Sequence, residues 1–136
     1  MSLHPFAISQ IHALKRKPQQ EKAQDLLQKI HDQVLPILIA RKWKVHRLQE
    51  FYPKNENLLG MNVNRGWKIM IRLRDPYDEN HFYPYTEVLG TMLHELVHMK
   101  IGPHNASFFT VSIYEMILCN HEIIFILVII GTKTRN

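Results

Sequence analysis

The chain has 136 residues, 46% of them hydrophobic and 21% charged. That is one core's worth of an ordinary globular composition, which excludes collagen-like, disulfide-scaffold and wholly disordered classes. Lys and Arg number 17 against 12 Asp and Glu, a formal charge of +5 that permits a nucleic-acid or other acidic partner.

One cysteine, Cys119, cannot close an intrachain bridge, so a reducing compartment is expected. Met1-Ser2-Leu3-His4-Pro5-Phe6 has no basic stretch leading into an apolar one, so no secretory leader is expected. Residues 6–14 mix their periods and read as an extended lead-in segment. Ala23, Leu26, Leu27, Ile30, Val34 and Ile37 recur at spacings of three and four, which predicts a helix over about 19–40 with one apolar face. Pro36 falls late in that pattern and should kink or end it.

Residues 43–48, from Trp43 to Leu48, alternate like a half-buried strand. Residues 53–57, Gly60 and residues 62–66 mark turns. Trp67 to Arg74 alternates again, with Trp67, Ile69, Ile71 and Leu73 expected inward and Lys68, Arg72 and Arg74 mostly outward. Residues 75–80 read as a loop. Pro84 then opens a helix whose buried face holds Val88, Leu89, Met92, Leu93, Leu96 and Val97, and Gly102-Pro103 is expected to end it. The order of elements reads as an α+β fold.

The second helix carries His94-Glu95-Leu96-Val97-His98. Positions i and i+4 stack on one helix face, so both imidazoles can reach a single tetrahedral zinc ion. Glu95 stands one step round, where a base belongs. After the turn at Gly102-Pro103, His104 can swing back as a third ligand. Three protein ligands and one open position describe a catalytic site. With nine histidines, chance places the pentapeptide in such a chain roughly 3% of the time, and the added His104 lowers this to roughly 0.2%. The triplet therefore carries a weight the pentapeptide lacks.

Residues 58–66 (Leu58-Leu59-Gly60-Met61-Asn62-Val63-Asn64-Arg65-Gly66), the stretch 69–74, and His94 to His98 with Gly102-Pro103-His104-Asn105 together resemble the WLM-domain metalloproteases, relatives of the SprT-like proteases. The resemblance implies a minimal zincin-like domain over 6–109, a small mixed sheet packed on an active-site helix. It assigns His94, His98 and His104 to one zinc ion and Glu95 to the role of catalytic base. It further implies a DNA-dependent endopeptidase, acting in DNA repair on proteins crosslinked to DNA in the nucleus or the cytoplasm, with ties to SUMO, ubiquitin and an AAA unfoldase. After Phe109 the residues leave the family pattern. Residues 110–136 form a divergent hydrophobic tail, as in a truncated or alternatively spliced form, without the family's partner motifs. Within it Ile123 to Ile130 is an apolar run of eight, short of the roughly 20 residues that span a bilayer, so membrane insertion is not expected.

Tyr83, Tyr85 and Tyr114 are candidates for stabilising the oxyanion, and Met116 for a methionine turn below the metal. Segment 67–74 is the expected sheet edge for an extended substrate. Arg41, Lys42, Lys44, Arg47, Lys68, Arg72 and Arg74, interleaved with Trp43 and Trp67, suggest contact with single-stranded nucleic acid. Two competing readings remain: a zinc-stabilised binding module without catalysis, and a tail-anchored or aggregation-prone product.

Overall fold

The computed structural model describes residues 4–99. Eight elements follow one another: β1 (Gln10–His12), α1 (Gln20–Arg41), β2 (Arg47–Glu50), β3 (Gly60–Val63), β4 (Lys68–Ile71), β5 (Arg74–Asp75), β6 (Asp78–Phe82) and α2 (Tyr85–Val97). The main sheet has the order β1-β2-β4-β3. β1 and β2 run parallel, as do β2 and β4, while β3 returns antiparallel on β4 and ends the sheet. β5 and β6 form a separate two-stranded ribbon. The α+β class expected from the sequence holds.

The apolar faces explain the layering. α1 buries Leu27, Ile30, Val34, Ile37 and Leu38, α2 buries Val88, Leu89, Met92, Leu93 and Leu96, and the sheet meets them with Leu48, Ile69 and Ile71 in one core. Removing such side chains from water is the main term favouring this arrangement. Gln24 on α1 then satisfies the short β1 region, accepting from the Ala13 N–H at 2.9 Å and donating to the Ile11 carbonyl at 2.8 Å.

Several expectations are corrected. Pro36 does not end α1, which continues to Arg41. The proline ring is exposed while Ile37 and Leu38 beside it are fully buried, so core packing carries the helix past the missing donor. The strand expected over 43–48 begins at Arg47, because Lys42 and Trp43 complete the end of α1. Lys42 sits at φ 56°, and its N–H reaches the Ile39 carbonyl while the Trp43 N–H reaches that of Leu38. This is a Schellman arrangement with lysine in the place glycine usually takes. Of the residues assigned to turns at Gly60 and 62–66, Gly60, Asn62 and Val63 pair within β3 while 64–66 do form a turn, and part of the expected loop 75–80 pairs in the β5–β6 ribbon.

Segment 67–74 is corrected twice. β4 lies between β2 and β3, so it cannot present a free edge; β3 takes that position. The expected inward and outward faces fail at three residues. Trp67 is 57% exposed, whereas Arg72 and Arg74 are buried. Arg74 forms a fork on Glu50, with Nε 2.6 Å from Oε2 and Nη2 3.4 Å from Oε1, and its Nη1 donates to the Pro18 and Glu79 carbonyls. Arg72 donates to the carbonyls of Leu58, Pro53 and Asn55. Both guanidiniums are buried in closing loops and are withdrawn as nucleic-acid contacts. α2 ends at Val97, with His98 closing it. The Gly102-Pro103 stop, His104, Tyr114, Met116 and the tail 110–136 lie outside the described residues.

Candidate metal and catalytic site

α2 is aimed by its buried face. Leu93, Leu96 and Val97 turn into the interior, which leaves His94 and His98, one turn apart, half-buried on the other side. Their ring centroids stand 5.5 Å apart at an interplanar angle of 79°. The i and i+4 spacing therefore brings two imidazoles together as expected. Among the described residues no group of three or more His, Cys, Asp or Glu stands close enough to hold a metal ion, and the third expected ligand, His104, falls beyond them. Two imidazoles on one helix face, with a carboxylate on the next residue, are a donor set that suits zinc.

Glu95 is 7% exposed. Burial alone pushes its carboxyl from the ordinary 4.5 up to about 7, because the charged form loses water without gaining a compensating cation. A cation held against it would draw that value down again. Glu95 and His98 line a cleft of about 490 Å³ together with Gly60, Met61, Asn62 and Arg65.

Two residues that sequence reasoning treated only as turn formers shape this cleft. A Cβ at Gly60 would stand 2.7 Å from Thr91 Cγ2 and 3.0 Å from Glu95 Cγ, so only glycine lets β3 lie this close to α2. Asn62 donates from Nδ2 to the Glu95 carbonyl at 2.8 Å and accepts at Oδ1 from the Gly66 N–H at 2.8 Å. It thus ties the strand, the helix and the following turn at one point. A Gly-x-Asn between two turn signals was the available clue, and it was masked by the turn propensity of both residues.

The other candidates disperse. Tyr83 and Tyr85 are half-buried against the core, and neither lines the Glu95 cleft. Burial is the first cause raising the pKa of each phenol, and Tyr85 Oη is sealed without a hydrogen-bond partner among the described residues. Both are withdrawn as oxyanion donors. Of the basic residues, Lys42 and Lys44 come together beside Trp43 and Trp67. Lys44 Nζ also donates to the Pro5 and Ala7 carbonyls. Arg41 does not line that second cleft. Among the described residues no helix is long and apolar enough to cross a membrane.

Comparison with known proteins agrees with this fold. The protein is 45% identical over 102 residues to the DNA-dependent metalloprotease WSS1 of Saccharomyces cerevisiae, covering 75% of this chain and 38% of that one. It is 34% identical over 99 residues to the DNA-dependent metalloprotease WSS1 homolog 2 of Schizosaccharomyces pombe, covering 67% of this chain and 34% of that one. The chain thus spans little more than a third of the length of these relatives. The crystal structure of Wss1 from Saccharomyces cerevisiae superposes with a TM-score of 0.77 at 38% identity, covering 93% of each chain. That of Wss1 from S. pombe gives 0.72 at 29% identity, covering 82% of this chain and 91% of that one. The WLM domain model matches residues 6–114, and this chain belongs to the WLM domain family.

Proposed function

We propose that this chain is the catalytic domain of a zinc-dependent endopeptidase that acts on DNA-associated proteins, including proteins crosslinked to DNA, as part of DNA repair in the nucleus. The observation that carries the reading is Glu95, buried on the helix that brings His94 and His98 together and opening, with His98, onto a cleft floored by a terminal strand. The printed names of the relatives, DNA-dependent metalloproteases, support the same assignment.

His94, His98 and His104 are the residues that would hold zinc. When bound, zinc supplies a Lewis acid that acidifies water and polarises a peptide carbonyl. Glu95 takes up the proton of the attacking water at its carboxylate and returns it to the departing amine, so that one carboxylate serves as base and then as acid. Its place suits this task, since the carboxyl group lines the cleft beside His98, within reach of a water held there. β3 holds the substrate. Its outer edge, at the end of the sheet, offers N–H and C=O groups for pairing with an extended peptide. Pairing through backbone atoms reads little sequence, so the choice of substrate falls to delivery by DNA.

The test is cleavage of histone by the purified protein, with and without single-stranded DNA, before and after removal of metal by a chelator. The expected outcome is cleavage that disappears with the metal, returns with zinc and rises with DNA. Cleavage that survives complete metal removal would overturn the proposal.

A further inference from the structure

Beside the Glu95 cleft lies a second one, of about 460 Å³, lined chiefly by Lys42, Trp43, Lys44, His46, Arg65 and Trp67. Its size falls in the range of small-molecule sites, roughly 300–1,000 Å³. Three of these side chains are cations, and among the described residues lining it there is no carboxylate. Trp67 is 57% exposed, although the alternation over residues 67–74 would have buried it. Its ring stands 5.1 Å from that of exposed His46. An exposed indole beside a second ring, in a cleft lined by cations, suits a partner of flat and anionic chemistry.

The turn between β3 and β4 links the two clefts. Asn64 and Arg65 line both, and both are held left-handed, at φ 49° and 48°, followed by Gly66 at 97°. Non-glycine residues adopt that conformation at a cost. The turn is fixed on both sides, by the Asn62 side chain on the Gly66 N–H and by the His46 N–H on the Gly66 carbonyl at 2.9 Å. Arg65 is thereby presented at the boundary of the two clefts.

Resting on the endopeptidase reading above, we propose that this second cleft binds single-stranded DNA, with one unpaired base stacked on Trp67 and the flanking phosphates on Lys42 and Arg65. Charge complementarity favours a polyanion. The exposed indole favours a single strand over a duplex, because only an unstacked base has a face to offer. A strand bound there would set a protein attached to a neighbouring nucleotide at the mouth of the Glu95 cleft.

The test uses the zinc-loaded full chain and fluorescein-labelled oligo-dT or a duplex of equal length, read by anisotropy at two salt concentrations. Trp67→Ala is expected to weaken single-strand binding about tenfold and duplex binding much less, and Trp67→Phe to recover most of the loss. Lys42→Ala should lower the salt slope by about one phosphate contact. Thermal melts of each variant separate lost contact from lost fold. Unchanged oligo-dT affinity in a folded Trp67→Ala, or equal losses on both DNAs, would overturn the inference. Cleavage of histone by the wild-type chain, with single-stranded DNA present, is scored separately. Absence of histone cleavage by the zinc-loaded wild-type chain with single-stranded DNA present, alongside a Trp67-dependent loss of binding, would overturn the endopeptidase reading and leave the DNA site standing.

Discussion

Arg74 carries its charge into the interior because Glu50 meets it there, with both side chains fully buried. Glu50 also accepts the Leu14 N–H at 3.0 Å, and the Arg74 guanidinium lies 4.7 Å from the centre of the Phe82 ring. One ion pair therefore ties the lead-in to α1, strand β2 and the β5–β6 ribbon. Removing one partner of such a pair leaves a buried charge uncompensated, at a cost of about 3–5 kcal/mol. Arg74→Met is expected to lower stability by that amount, read by urea denaturation. A change under about 0.5 kcal/mol, the usual scale of a surface substitution, would return Arg74 to the surface role its alternation suggested. Glu95 shows the opposite economy. It is buried without a cation among the described residues, and an unpaired buried carboxylate is the type of group that functional sites, more than structural ones, retain.

At the scale of elements, the ends matter more than the middles. α2 needs its apolar face only to point His94 and His98 the other way, and α1 runs through Pro36 because packing outweighs one lost hydrogen bond. The C-terminal end of α1 is where sequence and geometry disagree. Lys42 occupies a left-handed position, at φ 56°, that glycine would take without strain. Lys42→Gly is expected to stabilise the fold by about 1 kcal/mol while removing a cation from the second cleft. A thermal melt measures this, and a fall in Tm would contradict the assignment of strain to that residue. β3 makes the same point from the other side. Its Gly60 and Asn62 look like loop residues, yet the first permits the approach of strand to helix and the second locks it.

For the molecule as a whole, the sequence was most legible where a period or a spacing dictates one geometry. The 3.6-residue apolar pattern located both helices, and the i, i+4 histidines came together as that spacing requires. It was least legible where identity and environment part company. A strand pattern of Lys, Arg and Trp reads as charges out and tryptophan in, but Arg72 and Arg74 are buried on acceptors from other segments and Trp67 stands mostly exposed at a sheet margin. Burial of a charge depends on partners distant in sequence, such as Glu50 for Arg74, which no local pattern reports. The free edge was misplaced for a related reason. Strand order is a property of the sheet, and β4, the most regular strand in the sequence, is central because the less regular β3 covers it.

The account stands on Glu95 moving a proton beside a metal held by imidazoles. Its most direct test is Glu95→Gln, an isosteric amide that cannot accept the proton, with zinc content and histone cleavage measured on the same preparation as the wild type. The expected result is one zinc per chain in both proteins and a loss of cleavage of about 100- to 10,000-fold in the variant. Cleavage by Glu95→Gln at the wild-type rate, or a wild-type chain that cleaves without zinc, would contradict it.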